Sequence, residues 1–152
     1  MSRVVQLLAV VHLLSGAAWF GALVCRTFFV DPKSMRFFER GGDYEQFALH
    51  LADGMRAVVT AALLVCGLSG FALLGLRWTP AAGWLSLMAV KGVVWLAAFV
   101  VFVYISWVYW PRRVFAAGAE VAALRRQGLA LALVMIALAG SGIVLGQAAR
   151  SW

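Results

Sequence analysis

Four stretches of the chain are apolar on every face of a helix rather than along one stripe: residues 4–25, 57–76, 83–109 and 127–149. Each reaches the ~20 residues that a helix needs to cross a bilayer. In lipid every backbone donor and acceptor must be paired within the segment, so runs of this length are helices and not open strands. Polar and charged positions collect between the runs. The pattern predicts helices over about 4–30, 51–76, 83–110 and 127–149, with an interfacial loop at 31–50. That is an all-α, integral membrane four-helix bundle in a single transmembrane domain covering 1–152.

The connections carry local signals. Asp31-Pro32 reads as a turn and Gly41-Gly42 as a break. Between them Met35, Phe37 and Phe38 interleave with Lys33, Arg36 and Arg40, which suits a short segment lying in the interface. Asp43 reads as the N-cap of a helix that runs through Tyr44, Phe47 and Leu51 into the second span. Trp78-Thr79-Pro80 reads as a tight turn, Pro111-Arg112-Arg113 as the stop of the third helix, and Arg125-Arg126 as the start of the fourth. Tyr104, Trp107, Tyr109 and Trp110 form an aromatic belt. Ala17-x-x-x-Gly21 and Gly142-x-x-x-Gly146 have the spacing that lets helices approach closely, in a tight bundle or a homodimer.

Composition sharpens this picture. The chain is 64% hydrophobic and only 12% charged, too apolar for a soluble domain of its size. Its net charge of +7 does not point to nucleic acid, because basic residues beside membrane helices serve topology and contact with anionic lipid. Arg3, Arg77 and Arg150 stand against nine in the other loops: Arg26, Lys33, Arg36, Arg40, Arg56, Arg112, Arg113, Arg125 and Arg126. This places the two longer loops in the cytoplasm and both termini outside a bacterial inner membrane. Arg3 and Gly16-Ala17-Ala18 have a likeness to a signal peptide, but the apolar run continues through Trp19, Phe20 and Leu23, so the segment reads as a retained helix. Cys25 and Cys66 form no CxxC or CxxCH motif and lie at different depths, which argues against a disulfide and covalent haem attachment.

One residue breaks the apolar pattern. Lys91 is the one charge between Trp78 and Trp110, and an ionisable group inside a span costs at least ~2.5–3.5 kcal/mol unless compensated. His12 and Lys91 each lie eight residues in from the outer edge of their helices, Ser69 and Ser141 seven, with Cys66 one turn deeper. At ~1.5 Å per residue all four helices present a polar group about 12 Å inside the outer boundary. No Asp or Glu lies in a span, so Lys91 is neutral, reaches water or carbonyls, or pairs with an anionic ligand. Haem propionates, quinone oxygens and a tetrapyrrole anion all fit the last case. His12, Trp19 and Arg26 share one face of the first helix, and Trp84, Met88, Lys91 and Trp95 one face of the third. Such faces would wall a planar ligand, and equally suit ordinary helix contact. His50 sits at the opposite end from His12, so the two cannot bind one iron, and no cluster has metal-ligand spacing.

The run His12-Leu-Leu-Ser-Gly-Ala-Ala-Trp19-Phe20-Gly21, with Trp84-Leu-Ser-Leu-Met-Ala-Val-Lys91, resembles the superfamily that joins copper-resistance protein D membrane domains and HemJ-type protoporphyrinogen oxidases. The likeness covers about a third of the chain. It implies a helical membrane protein that binds haem b or a related tetrapyrrole. His12 would be axial ligand, and so a metal site, or else proton acceptor; Lys91 would anchor the anion, and electrons would pass to quinone or a redox partner complex. Trp19, Arg26, Trp95, Ser69 and Ser141 would line such a site. After Lys91, Tyr104-Ile-Ser-Trp lacks the histidine that often follows the tyrosine in the oxidases. Two other classes are a copper uptake protein, with copper as its cargo, and a small accessory subunit of a larger membrane complex.

Overall fold

The computed structural model describes residues 2–78 and 81–149. It is a four-helix bundle whose helices are each long and apolar enough to cross a membrane. In chain order the helical segments are α1 (Arg3–Cys25), α2 (Asp31–Phe37), α3 (Gly41–Leu76), α4 (Ala82–Tyr104), α5 (Trp110–Val114) and α6 (Ala119–Ala148). Among the described residues there is no strand. The closest packing joins α1 to α3 and α4 to α6, with α1 against α6 closing the bundle.

Large side chains point outwards and small ones inwards. Leu7, Leu14, Val58, Leu68, Val93 and Val144 are all more than 60% exposed. In water this surface would aggregate; a lipid bilayer is its natural solvent. The interior is lined instead by Ala48, Ala52, Ala98, Ala139 and Gly67, around a compact cluster of Trp19, Leu63, Phe102 and Met135. Lipid tails are as apolar as leucine, so helices gain by close backbone approach rather than by hiding large residues.

Two expected breaks are absent, for one physical reason. The chain runs helically from Arg3 to Phe37, straight through Asp31-Pro32, and from Ala82 to Val114, through Pro111. In each case a five-residue π-helical turn, Arg26–Val30 or Ile105–Tyr109, comes immediately before the proline's own helix. A proline ring in a regular α-helix collides with the carbonyl four residues back and leaves a hydrogen bond unmade. The wider π turn gives the ring room and absorbs the missing donor. The segment holding Met35 and Phe37 is therefore the end of the first long helix, with Phe38 as its extended C-cap. Its 35 residues measure about 50 Å at 1.5 Å each, well beyond a ~30 Å hydrocarbon core.

The reversal that follows lies at 38–40, just ahead of the predicted glycine break. Arg40 occupies the N-cap position of α3 and Asp43 sits in its first turn, where a negative charge is still favourable. The fourth long helix begins at Ala119, six residues before Arg125, after Gly118 in a positive-φ conformation (58°) that side chains resist. Of the small-residue motifs, Gly21 and Gly142 have nothing near them, while Gly146 faces Lys91. Thr79-Pro80 and Arg150 lie outside the described residues.

Candidate functional site

The polar layer forms. Helix α1 carries His12, α3 carries Cys66 and Ser69, and α4 carries Lys91, and their polar atoms meet. Lys91 Nζ lies 3.4 Å from His12 Nε2. On the other side of the imidazole, Nδ1 lies 2.8 Å from the Cys66 carbonyl oxygen and 3.1 Å from Ser69 Oγ. Cys66 Sγ is 3.8 Å away.

These contacts assign the tautomer. A carbonyl oxygen only accepts, so Nδ1 carries the proton and donates it to Cys66. Ser69 donates its own proton to the Val65 carbonyl at 2.6 Å, which leaves its lone pairs toward the imidazole. Nε2 is then a bare lone pair, and Lys91 donates to it. Ser15 Oγ donates to the His12 carbonyl at 3.1 Å.

Glycine makes the space. A Cβ on Gly70 of α3 would come within 3.0 Å of His12 Cε1, and one on Gly146 of α6 within 3.3 Å of Lys91 Nζ. The fourth long helix thus contributes an absent side chain, not Ser141. Ser141 is exposed and donates to the Ala137 carbonyl of its own helix at 2.8 Å. The inward face of α6 runs through Met135 and Ala139, and at about 100° per residue Ser141 lies about 200° round from Ala139.

The other predicted site residues go elsewhere. Trp19 is buried in the core cluster, seven residues along α1 from His12, with its indole N–H unpartnered. Trp95 is a wedge between α3 and α4. It stacks on Phe99, meets Phe71 edge-on, donates to the Leu63 carbonyl at 3.4 Å and fills the space that a side chain at Gly67 would need. Arg26 lies at the far end of the bundle, where it reaches Asp31 at 3.6 Å and the Ala48 carbonyl at 3.4 Å.

No family model matches the chain, and no curated protein or solved structure does.

A resident haem or a copper ion can be tested against the residues present. The layer holds one imidazole, whose bare lone pair already faces Lys91. His50 is exposed and distant. Among the described residues, no three His, Cys, Asp or Glu side chains converge. An iron or copper at Nε2 would have to displace Lys91. As arranged, the pair does not fit a resident metal. What the geometry gives is a lysine with no carboxylate partner among the described residues, beside an imidazole whose Nδ1–H is held by a carbonyl.

At the other end, sequence reasoning missed a second polar assembly. Glu45 of α3 accepts from Arg113 Nε and from Arg125 Nε, each at 2.8 Å. Tyr109 donates to the Leu124 carbonyl at 2.9 Å and accepts from Arg113 Nη1 at 3.2 Å. The signal in the sequence was only a set of loop arginines and acids, which topology explains equally well.

Proposed function

We propose that the chain is an integral membrane redox protein of the kind its first and third spans resemble, acting on an anionic tetrapyrrole bound at the His12–Lys91 pair. Lys91 holds a substrate carboxylate and His12 accepts a proton as the substrate is oxidised. In each step the substrate loses two electrons and two protons, which a quinone or partner complex takes up, and three such steps, with three quinones, turn a porphyrinogen into a porphyrin. We place the arginine-rich end in the cytoplasm of a bacterial inner membrane and the His12–Lys91 end toward the outside, with both termini.

The observation that carries this reading is the 3.4 Å contact between Lys91 Nζ and His12 Nε2, with Nδ1–H held by the Cys66 carbonyl. In the resting arrangement the lone pair is capped by the lysine. A carboxylate that draws the ammonium away uncaps the base, so proton acceptance becomes conditional on bound substrate. A fixed tautomer beside a movable donor is what a general base requires.

The test is porphyrin fluorescence appearing from a porphyrinogen and a soluble quinone with detergent-purified protein. Loss of the base, His12→Ala, should cut kcat by roughly 10²-fold or more, the range typical of general acid–base groups. Lys91→Met should act mainly on KM. Folded wild-type protein that neither binds porphyrinogen nor speeds its oxidation sinks the proposal. Copper accumulation or a role as accessory subunit would then be the readings to pursue.

A further inference from the structure

The arginine-rich end encloses a cavity of about 440 Å³, lined by residues from both proline-bearing helices and from α3 and α6. Its wall has two characters. Arg26, Arg56, Arg113, Arg125 and Arg126 line it against the single acid Asp31, and Glu45 nearby is already shared by two of those arginines. Much of the rest is apolar, with Met35, Met55, Val59, Leu129 and Met135 among the lining side chains.

Arg113 is the decisive residue. Its side chain is only 9% exposed, its Nε is bound by Glu45, and its Nη2 is buried without any acceptor. Trp110 is flanked by the guanidinium groups of Arg113 and Arg26, 5.0 and 5.2 Å from its ring, so two cations are held together at one place. Arg26 has Asp31, Arg56 has Asp53, and Arg113 shares Glu45 with Arg125, so the five arginines of the wall outnumber the three carboxylates beside them. Met35 and Leu129 line the cavity and are also 46% and 52% exposed, so its apolar side is open at the surface of the bundle.

We propose that this cavity is a binding site for one acidic phospholipid, its phosphate held by Arg113 and Arg126 and its chains leaving past Met35 and Leu129. Basic pockets between spans at the end of a bundle suit anionic headgroups. A soluble anion would use the arginines and leave the methionine-lined side empty. The inference is independent of the His12–Lys91 reading, since the two sites share no residue.

The experiment is native mass spectrometry of the whole protein in detergent, titrated in turn with phosphatidylglycerol, phosphatidylcholine and inorganic phosphate. One phosphatidylglycerol should bind about 10-fold more tightly than phosphatidylcholine, the worth of one to two well-placed arginines. Arg113→Gln should abolish that preference, and so should Ala132→Phe, which fills the cavity from α6 with every ion pair intact. Arg3→Gln, at the opposite end, should leave it unchanged. Equal binding of the two lipids, or a preference that survives Ala132→Phe, would overturn the site. Full competition by inorganic phosphate would overturn its assignment to lipid. Arg113→Gln could fail to fold, and Ala132→Phe carries the test in that event.

Discussion

At the residue scale, the contrast is between side chains that a sequence displays and those that it omits. His12 and Lys91 were legible because charge and imidazole are conspicuous in apolar runs, and depth arithmetic put them at one level. Their partners were not legible. The proton on Nδ1 goes to a backbone carbonyl, which every residue has, and the room around both side chains comes from Gly70 and Gly146. Two other glycines carry a sharper consequence. Tyr109, only 3% exposed, places its hydroxyl where a Gly128 side chain would be, and Trp95 does the same at Gly67. Gly128→Ala and Gly67→Ala should each destabilise the protein by about 1–3 kcal/mol, the range for overpacked cores. Gly75→Ala, at a position with open space around it, should lose nothing. Thermal melts in one detergent would separate them, and equal melting points for all three would refute the close packing at Tyr109 and Trp95.

At the element scale, helix existence was readable from hydrophobic length, while helix ends were not. Proline is normally a reliable stop, and here Pro32 and Pro111 sit inside continuous helices because π turns precede them. Nothing in Arg26–Val30 or Ile105–Tyr109 marks a π turn by composition. The extra length lets α3, α5 and α6 meet at Glu45, whose carboxylate accepts from Arg113 and Arg125 at 2.8 Å each. Glu45→Gln keeps the shape and removes the charge, leaving two guanidinium groups short of an anion. The loss should be roughly 1.5–3 kcal/mol, the worth of a hydrogen bond to a charged group. Unfolding followed by Trp fluorescence would measure it, and no change would mean that solvent already satisfies the two arginines.

At the scale of the whole molecule, the bundle has two polar ends of different kinds, separated by the core around Trp19, Leu63, Phe102 and Met135. One end is a fixed base with one cation, and the other an arginine-walled cavity. This separation explains why the stripe His12, Trp19, Arg26 looked like one site in sequence and serves three places in space. It also makes orientation measurable. A cysteine introduced by Ala116→Cys, in the turn between α5 and α6, should react with impermeant maleimide only in inverted vesicles, while Ser2→Cys should react in intact cells. The reverse pattern would turn the bundle over and remove the outer-leaflet placement of the His12–Lys91 pair.

The two π turns bear on how such a chain tolerates change in length. Each holds one residue more than a regular α-helix would use over the same rise, so each is a place where a single deletion leaves a straight helix behind. The extra residue is taken up within a single turn, so its removal would leave everything downstream in nearly the same angular phase. Asp31 would stay by Arg26 and Arg113 by Glu45. The cost would fall on Pro32 and Pro111, whose rings would then meet the carbonyl four residues back. These two short stretches let proline pass through a long helix without turning the far end of the bundle.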